Sequence, residues 1–179
     1  MPTNAPRLSP LTAATAANAP SFSSQDFRAA LGMFATGVTI VSARTPDGEL
    51  VGLTASSFNS VSLAPPLVLW SLSRSATTFA AFTTGSHYAI HILAADQQAL
   101  AQQFASKGTD RWLGVPYTLS PSGVPLIEGC IACFECFNRS RYEEGDHVIF
   151  VGEVERCSAN LGAAPLLYHG GKFYTEHPL

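Results

Sequence analysis

A chain of 179 residues fits one domain, large enough to bury roughly 70% of the surface its unfolded form exposes, so it needs no staples to fold. Ten Lys plus Arg against thirteen Asp plus Glu give a formal net charge of -3, which offers no electrostatic footprint for nucleic acid, and no run approaches the roughly 20 apolar residues that span a bilayer. Only 13% of residues are charged and 46% are hydrophobic, which leaves apolar surface to meet a second subunit.

Residues 1–21, rich in Ala, Pro and Thr with Arg7 as their one charge, read as a flexible tail ahead of a domain over 22–179. Thr12, Thr15 and Asn18 interrupt the only stretch that could serve as a signal peptide. The expected location is the cytoplasm, so Asn138-Arg139-Ser140 is a glycosylation sequon by pattern only. Ser23 or Ser24 caps a predicted helix through Asp26, Phe27, Ala30, Leu31 and Phe34, ended by Gly37. The β-branched run 38–43, the turn Thr45-Pro46-Asp47-Gly48 and the run 50–53 predict a hairpin. Segment 56–63 alternates polar and apolar residues, Pro65-Pro66 interrupts it, and 67–73 resumes as a strand.

A short helix over about 76–84, a strand over 87–93 and an amphipathic helix opened by Asp96 come next. The Gly- and Pro-rich stretch 107–129 reads as a long excursion over the surface. Two long strands, about 130–140 and 147–156, are joined by Glu143-Glu144-Gly145-Asp146. A last pair, 166–169 and 172–175, turns at Gly170-Gly171. Strands with hairpin links dominate and no βαβ alternation is present, so the expected architecture is a mostly antiparallel β-barrel with accessory helices.

Cys130, Cys133 and Cys136 form a C-x2-C-x2-C run that invites a metal reading. The run lies in an apolar stretch that reads as a strand, where residues three apart point to opposite faces, so core packing is the favoured reading and no metal is expected. His87 and His91 would share a strand face, yet without a third ligand they read as partly buried histidines. Gly32-x4-Gly37 has the glycine spacing of a phosphate-binding loop but is followed by Val38-Thr39, without the Lys such a loop requires, and no G-x-G-x-x-G follows a strand.

What remains is a set of small hydroxyl residues at strand ends: Thr54-Ala55-Ser56-Ser57, then Ser71, Ser73, Arg74, Ser75 and Thr77-Thr78, with a helix start expected at Ala76. Short donors, exposed N–H groups and a guanidinium suit a phosphate or a polar ring edge, and they equally suit ordinary turns and a cap.

Five phrases in order, FATGVTIVSA (34–43), GLTASSFNSVSLAPPLVLWSLSRSATT (52–78), HYAIHIL (87–93), EEGDHVIFVGEVE (143–155) and PLLYHGGKFY (165–174), resemble the flavin reductase-like family. These proteins are the reductase components of two-component flavin-dependent monooxygenases. The resemblance covers about 22–176 and has no matching phrase in 107–129. It implies a homodimeric split β-barrel that binds FMN or FAD, is reduced by NADH or NADPH, and supplies a monooxygenase partner. It places Thr54, Ala55, Ser56, Ser57 and Phe58 along the isoalloxazine ring. Ser73, Arg74, Ser75 and Thr78 fall near the flavin phosphate, and Thr36 and Gly37 beside the same site. His147, in Gly145-Asp146-His147, is implied near the nicotinamide, and Lys172 lies in the closing motif as a phosphate contact or a solvated lysine. A non-catalytic flavin-binding or electron-transfer module on the same barrel is the alternative.

Overall fold

The computed structural model describes residues 20–177, so the expected tail lies outside them apart from Pro20 and Ser21. Helix α1 (Ser24–Gly32) starts at a full capping box: Ser23 accepts from the Asp26 N–H at 3.1 Å, and the Asp26 carboxylate accepts from the Ser23 N–H at 3.0 Å. These bonds hold the Asp26 carboxyl below its usual range. The helix ends at Gly32 with Met33 as its cap, short of the expected end. Gly37 lies instead in the two-residue strand β1 (Thr36–Gly37). None of the helix's residues is buried, so its apolar spacing meets no core among the described residues.

The expected hairpin forms as β2 (Thr39–Arg44) and β3 (Leu50–Ala55). Strands β4 (Asn59–Leu63) and β5 (Pro66–Ser73) follow, then α2 (Phe79–Thr84) and β6 (His87–Ile92). A 3-10 turn (Ala95–Gln97) leads into α3 (Gln98–Ala105). The stretch 107–129 is no simple surface excursion, because it contains the hairpin β7 (Tyr117–Leu119) and β8 (Pro125–Ile127) and buries Val115, Ser120, Val124 and Ile127. The long strands β9 (Ala132–Glu144) and β10 (His147–Ala159) turn at Gly145-Asp146, where Gly145 takes φ +59°. The chain closes with β11 (Leu167–His169) and β12 (Lys172–Tyr174).

Seven strands form one antiparallel sheet in the order β3-β2-β6-β9-β10-β5-β4. Its inner face wraps one core that draws Val41, Ala43, Val68, Trp70, Leu72, Tyr88, Ile90, Cys136, Val148 and Phe150 from five strands, with Phe82 of α2 as the plug. Trp70 is its centre, stacked on Phe150 at 4.8 Å and met edge-on by Phe82 at 5.0 Å and Tyr88 at 5.7 Å. Edges β3 and β4 do not pair with each other, so the barrel is split there. On the outer face of β2 a second core joins Val38 and Ile40 to Ala101 and Phe104 of α3, to Ile127 and to Leu166.

Strand alternation separates Cys133 from Cys136 as expected, but Cys130 precedes β9 and lines the same cleft as Cys133. Cys136 sits in the inner core, Cys130 packs on the outer core, and Cys133 faces outward beside Glu135 and Arg156. Burial pushes all three thiols up, Cys130 to about 11 and the other two to about 12, so they stay protonated near neutrality. Among the described residues no three His, Cys, Asp or Glu groups gather as a metal site.

His91 is fully buried and uses both ring nitrogens: Nδ1 donates to Ile40 O and Nε2 accepts from the Ile127 N–H, each at 3.1 Å. Only the neutral ring can do both. With the Ser42 hydroxyl donating to Pro125 O at 2.7 Å, it pins the β7-β8 hairpin to the barrel. Desolvation lowers its pKa from 6.5 to about 4. The unfolded chain therefore binds the extra proton between those values. This contribution to stability is complete above pH 6.5 and is lost as pH falls toward 4, by about 3 kcal/mol. Denaturant midpoints measured across that window should fall for the wild type and stay flatter for His91→Asn; parallel curves would remove His91 as the cause.

Candidate active site

At the split edge of the barrel the structure brings together Thr54, Ala55 and Ser56 of the predicted residues. Arg111 Nη1 donates to Gly52 O at 2.8 Å, so the Gly52 peptide groups face away from β2, and by the alternation of an antiparallel ladder those of Thr54 do as well. Just beyond β3, the N–H groups of Ser56, Ser57 and Phe58 meet no acceptor among the described residues. The three unpaired N–H groups of 56–58 along this open edge form a site for a polar planar ligand edge.

Beside this edge lies a cleft of about 420 Å³. Its walls are Thr54, Ala55 and Ser56 on one side, Ala101, Gln102, Ala105 and Ser106 of α3 and its cap on the second, and Tyr168, Gly171 and Phe173 on the third, with Val38 between. Two ties fix the walls: the Thr54 hydroxyl donates to Ala101 O at 2.6 Å, and the Thr39 hydroxyl donates to Ala55 O at 2.7 Å. Thr36 and Gly37 reach the cleft indirectly, since β1 pairs with β11 at Thr36–Tyr168 and Gly37–Leu167. Lys172 projects away from it, as alternate residues of β12 must, while Gly171 and Phe173 face in.

The other expected residues of this group lie outside the cleft lining. Ser57 accepts from the Ser71 N–H at 2.9 Å and donates to Ser71 O at 3.2 Å, which clamps the β3-β4 corner onto β5. Its hydroxyl is thereby consumed. The Phe58 ring stacks on Phe134 at 5.5 Å in the inner core, leaving only its backbone at the edge. Ser73 pairs with His147 across β5 and β10, and Ser71 with Ile149, so Ser71, Ser73 and His147 share the outer face.

Arg74 is anchored at its N–H by Asp146 O at 3.0 Å, and its guanidinium pairs with the Glu143 carboxylate at 2.9 Å across two exposed side chains. The Ser73 and Ser75 hydroxyls bond each other at 2.9 Å. The helix expected to start at Ala76 begins at Phe79, because Ala76 and Phe79 close consecutive turns on Ser73 O and Ala76 O first. The Thr78 hydroxyl is buried with no partner among the described residues. Asp146 Oδ1 lies 2.7 Å from His147 Nδ1, and that bond holds the Asp146 carboxyl below its usual range. A carboxylate accepts, so Nδ1 carries the proton and Nε2 is left for another partner.

The sequence expectations leave out the α3 wall. Its signal is the pair Ala101 and Ala105, small residues one helical turn apart that let a flat group approach.

Residues 31–177 match the flavin reductase like domain. The FMN reductase (NADH) of Agrobacterium fabrum is 46% identical to this chain over 150 residues, 84% of each chain. The chain belongs to the flavin reductase-like family. Within that family, the reductase subunit of a flavin-dependent monooxygenase from Rhodococcus jostii is 34% identical over 171 residues, covering 96% of this chain and 87% of that one. Among solved family structures, the NADH:FAD oxidoreductase of Streptomyces globisporus, in complex with NAD and FAD fragments, superposes with a TM-score of 0.82 at 38% identity, over 86% of this chain and 93% of that one. The mostly β, antiparallel split barrel with accessory helices is the family's fold in this chain.

Proposed function

We propose that this chain is an NAD(P)H-dependent flavin reductase that supplies reduced FMN or FAD to a partner monooxygenase. The observation that carries this reading is the open β3 edge, whose unpaired N–H groups at 56–58 stand beside a cleft with an apolar floor of Val38, Ala55, Ala101, Ala105 and Phe173. A flavin ring is a flat group with one apolar and one polar edge, and the cleft's volume and donors fit it. When bound, the two cofactors own the redox step, in which a hydride passes from the dihydropyridine ring to the flavin. The protein's part is to stack, orient and exclude water, and orientation alone is worth up to roughly 7 to 11 kcal/mol in well-positioned systems. Donors at 56–58 would steady the negative charge that builds on the flavin's polar edge.

In this reading Thr54 to Phe58 border the ring, and Ser73, Arg74, Ser75 and Thr78 lie toward the phosphate, where the unpartnered Thr78 hydroxyl would find an acceptor. No helix among the described residues is long and apolar enough to cross a membrane. All four cysteines are free, in keeping with work in the reducing cytoplasm.

The functional unit we propose is a homodimer, because Phe27, Leu31, Met33 and Phe34 lie exposed on and just after α1, Phe34 at 72%. A standard interface buries about 1,600 Å². Light scattering should give twice the chain mass for the wild type and a shift toward one chain for Leu31→Glu; a wild type at single-chain mass with full activity would refute the dimer.

A further inference from the structure

Within the flavin reading, we propose that Gln102 determines specificity for the flavin ring by meeting its pyrimidine edge with the side-chain amide. Four cleft side chains besides Gln102 carry polar atoms, and two are already spent. Thr54 donates to Ala101 O at 2.6 Å, and Ser106 donates to Gln103 O at 2.6 Å and shares a bond with Thr109. Gln103, next along α3, spends its amide nitrogen on Arg111 O at 2.9 Å and Leu113 O at 3.0 Å. Gln102 sits exposed on the cleft wall with its amide unpartnered among the described residues, as do the hydroxyls of Ser56 and Tyr168.

Of these three free groups only the amide presents a donor and an acceptor in one plane. That pattern answers a planar carbonyl, N–H, carbonyl sequence, which is the chemistry of the flavin's pyrimidine edge. The remaining walls are small or apolar, so the rest of the ring has an apolar bed and only its polar edge needs reading. A hydroxyl contributes one rotatable contact and cannot impose a ring orientation. An amide on a helix anchored by the fully buried Ala101 and Phe104 can.

Fluorescence titrations of the full chain with riboflavin and with N3-methylriboflavin, whose blocked nitrogen cannot donate, test this directly. The wild type should prefer riboflavin over the methylated analogue by about tenfold. Gln102→Leu should bind riboflavin about fivefold more weakly and discriminate little between the two, with an unchanged melting temperature. Gln102→Glu should keep oxidised riboflavin within a few-fold but bind reduced, anionic flavin more weakly, a change in the reduced-to-oxidised affinity ratio that a solvated surface residue does not produce. The proposal is overturned by an unaltered riboflavin affinity and preference in Gln102→Leu, or by an effect confined to KM for the nicotinamide. A wild type that binds no riboflavin at all would overturn the flavin reading itself.

Discussion

Gly52→Ala is expected to weaken flavin binding at least tenfold and to cost about 2 to 3 kcal/mol of stability. A Cβ at Gly52 would lie 2.6 Å from Phe104 Cε1 and 3.0 Å from its Cδ1, with Trp112 Cζ2 at 3.4 Å behind. Phe104 is fully buried and held edge-on by Trp112 at 5.1 Å, so it cannot swing aside within a packed core. The strain must move α3 off β3. That motion pulls on the Thr54 to Ala101 bond and opens the cleft between those two walls. Calorimetry and a flavin titration on the same sample check both halves. Gly52→Ala combined with Phe104→Leu should recover much of each, because the smaller side chain vacates the clash. Wild-type melting and affinity in the single variant would show that the close approach of α3 to β3 does not shape the site.

His147→Ala should lower kcat/KM for the nicotinamide by roughly ten- to a hundredfold while flavin affinity stays within about twofold, since one lost positioning contact is worth about 1 to 3 kcal/mol. The imidazole is fixed by its Nδ1–H to Asp146 at 2.7 Å and by the register that sets His147 opposite Ser73. Its free Nε2 shares the outer sheet face with Ser71 and Ser73, whose strand is clamped to the β3-β4 corner by Ser57. A ligand lying along the split would therefore have β3 at one margin and His147 toward the other. If the histidine only ties the Gly145-Asp146 turn, the variant will melt earlier and hold flavin poorly, with normal turnover per folded molecule. Stopped-flow reduction of the flavin-saturated variant separates these outcomes.

Local chemistry made the strands and their turns readable in advance. The β-branched run of β2, the Pro46-Asp47-Gly48 turn and the Gly145-Asp146 link each state their conformation within a few residues. The end of α1 was hidden because Phe34 continues the apolar spacing, yet that face stays exposed among the described residues. In 107–129 the deciding contacts are non-local: His91 holding Ile127 and Ser42 holding Pro125 join residues 36 and 83 positions apart. No composition signal reports such bonds. The hydroxyl cluster was likewise visible as a cluster, but which members are free was not. Ser57 turned out to clamp Ser71, Arg74 to pair with Glu143, and Phe58 to enter the core, whereas the backbone of 56–58 is what stays open.

Anaerobic mixing of flavin-loaded protein with NADH tests hydride delivery to a bound flavin most directly. The flavin's visible absorbance should bleach as one NADH is consumed per flavin, far faster than in buffer alone, and should slow when the transferred hydrogen is deuterium. Tight flavin binding without bleaching, for NADH and NADPH alike, would contradict the account and leave a flavin-binding module on the same barrel.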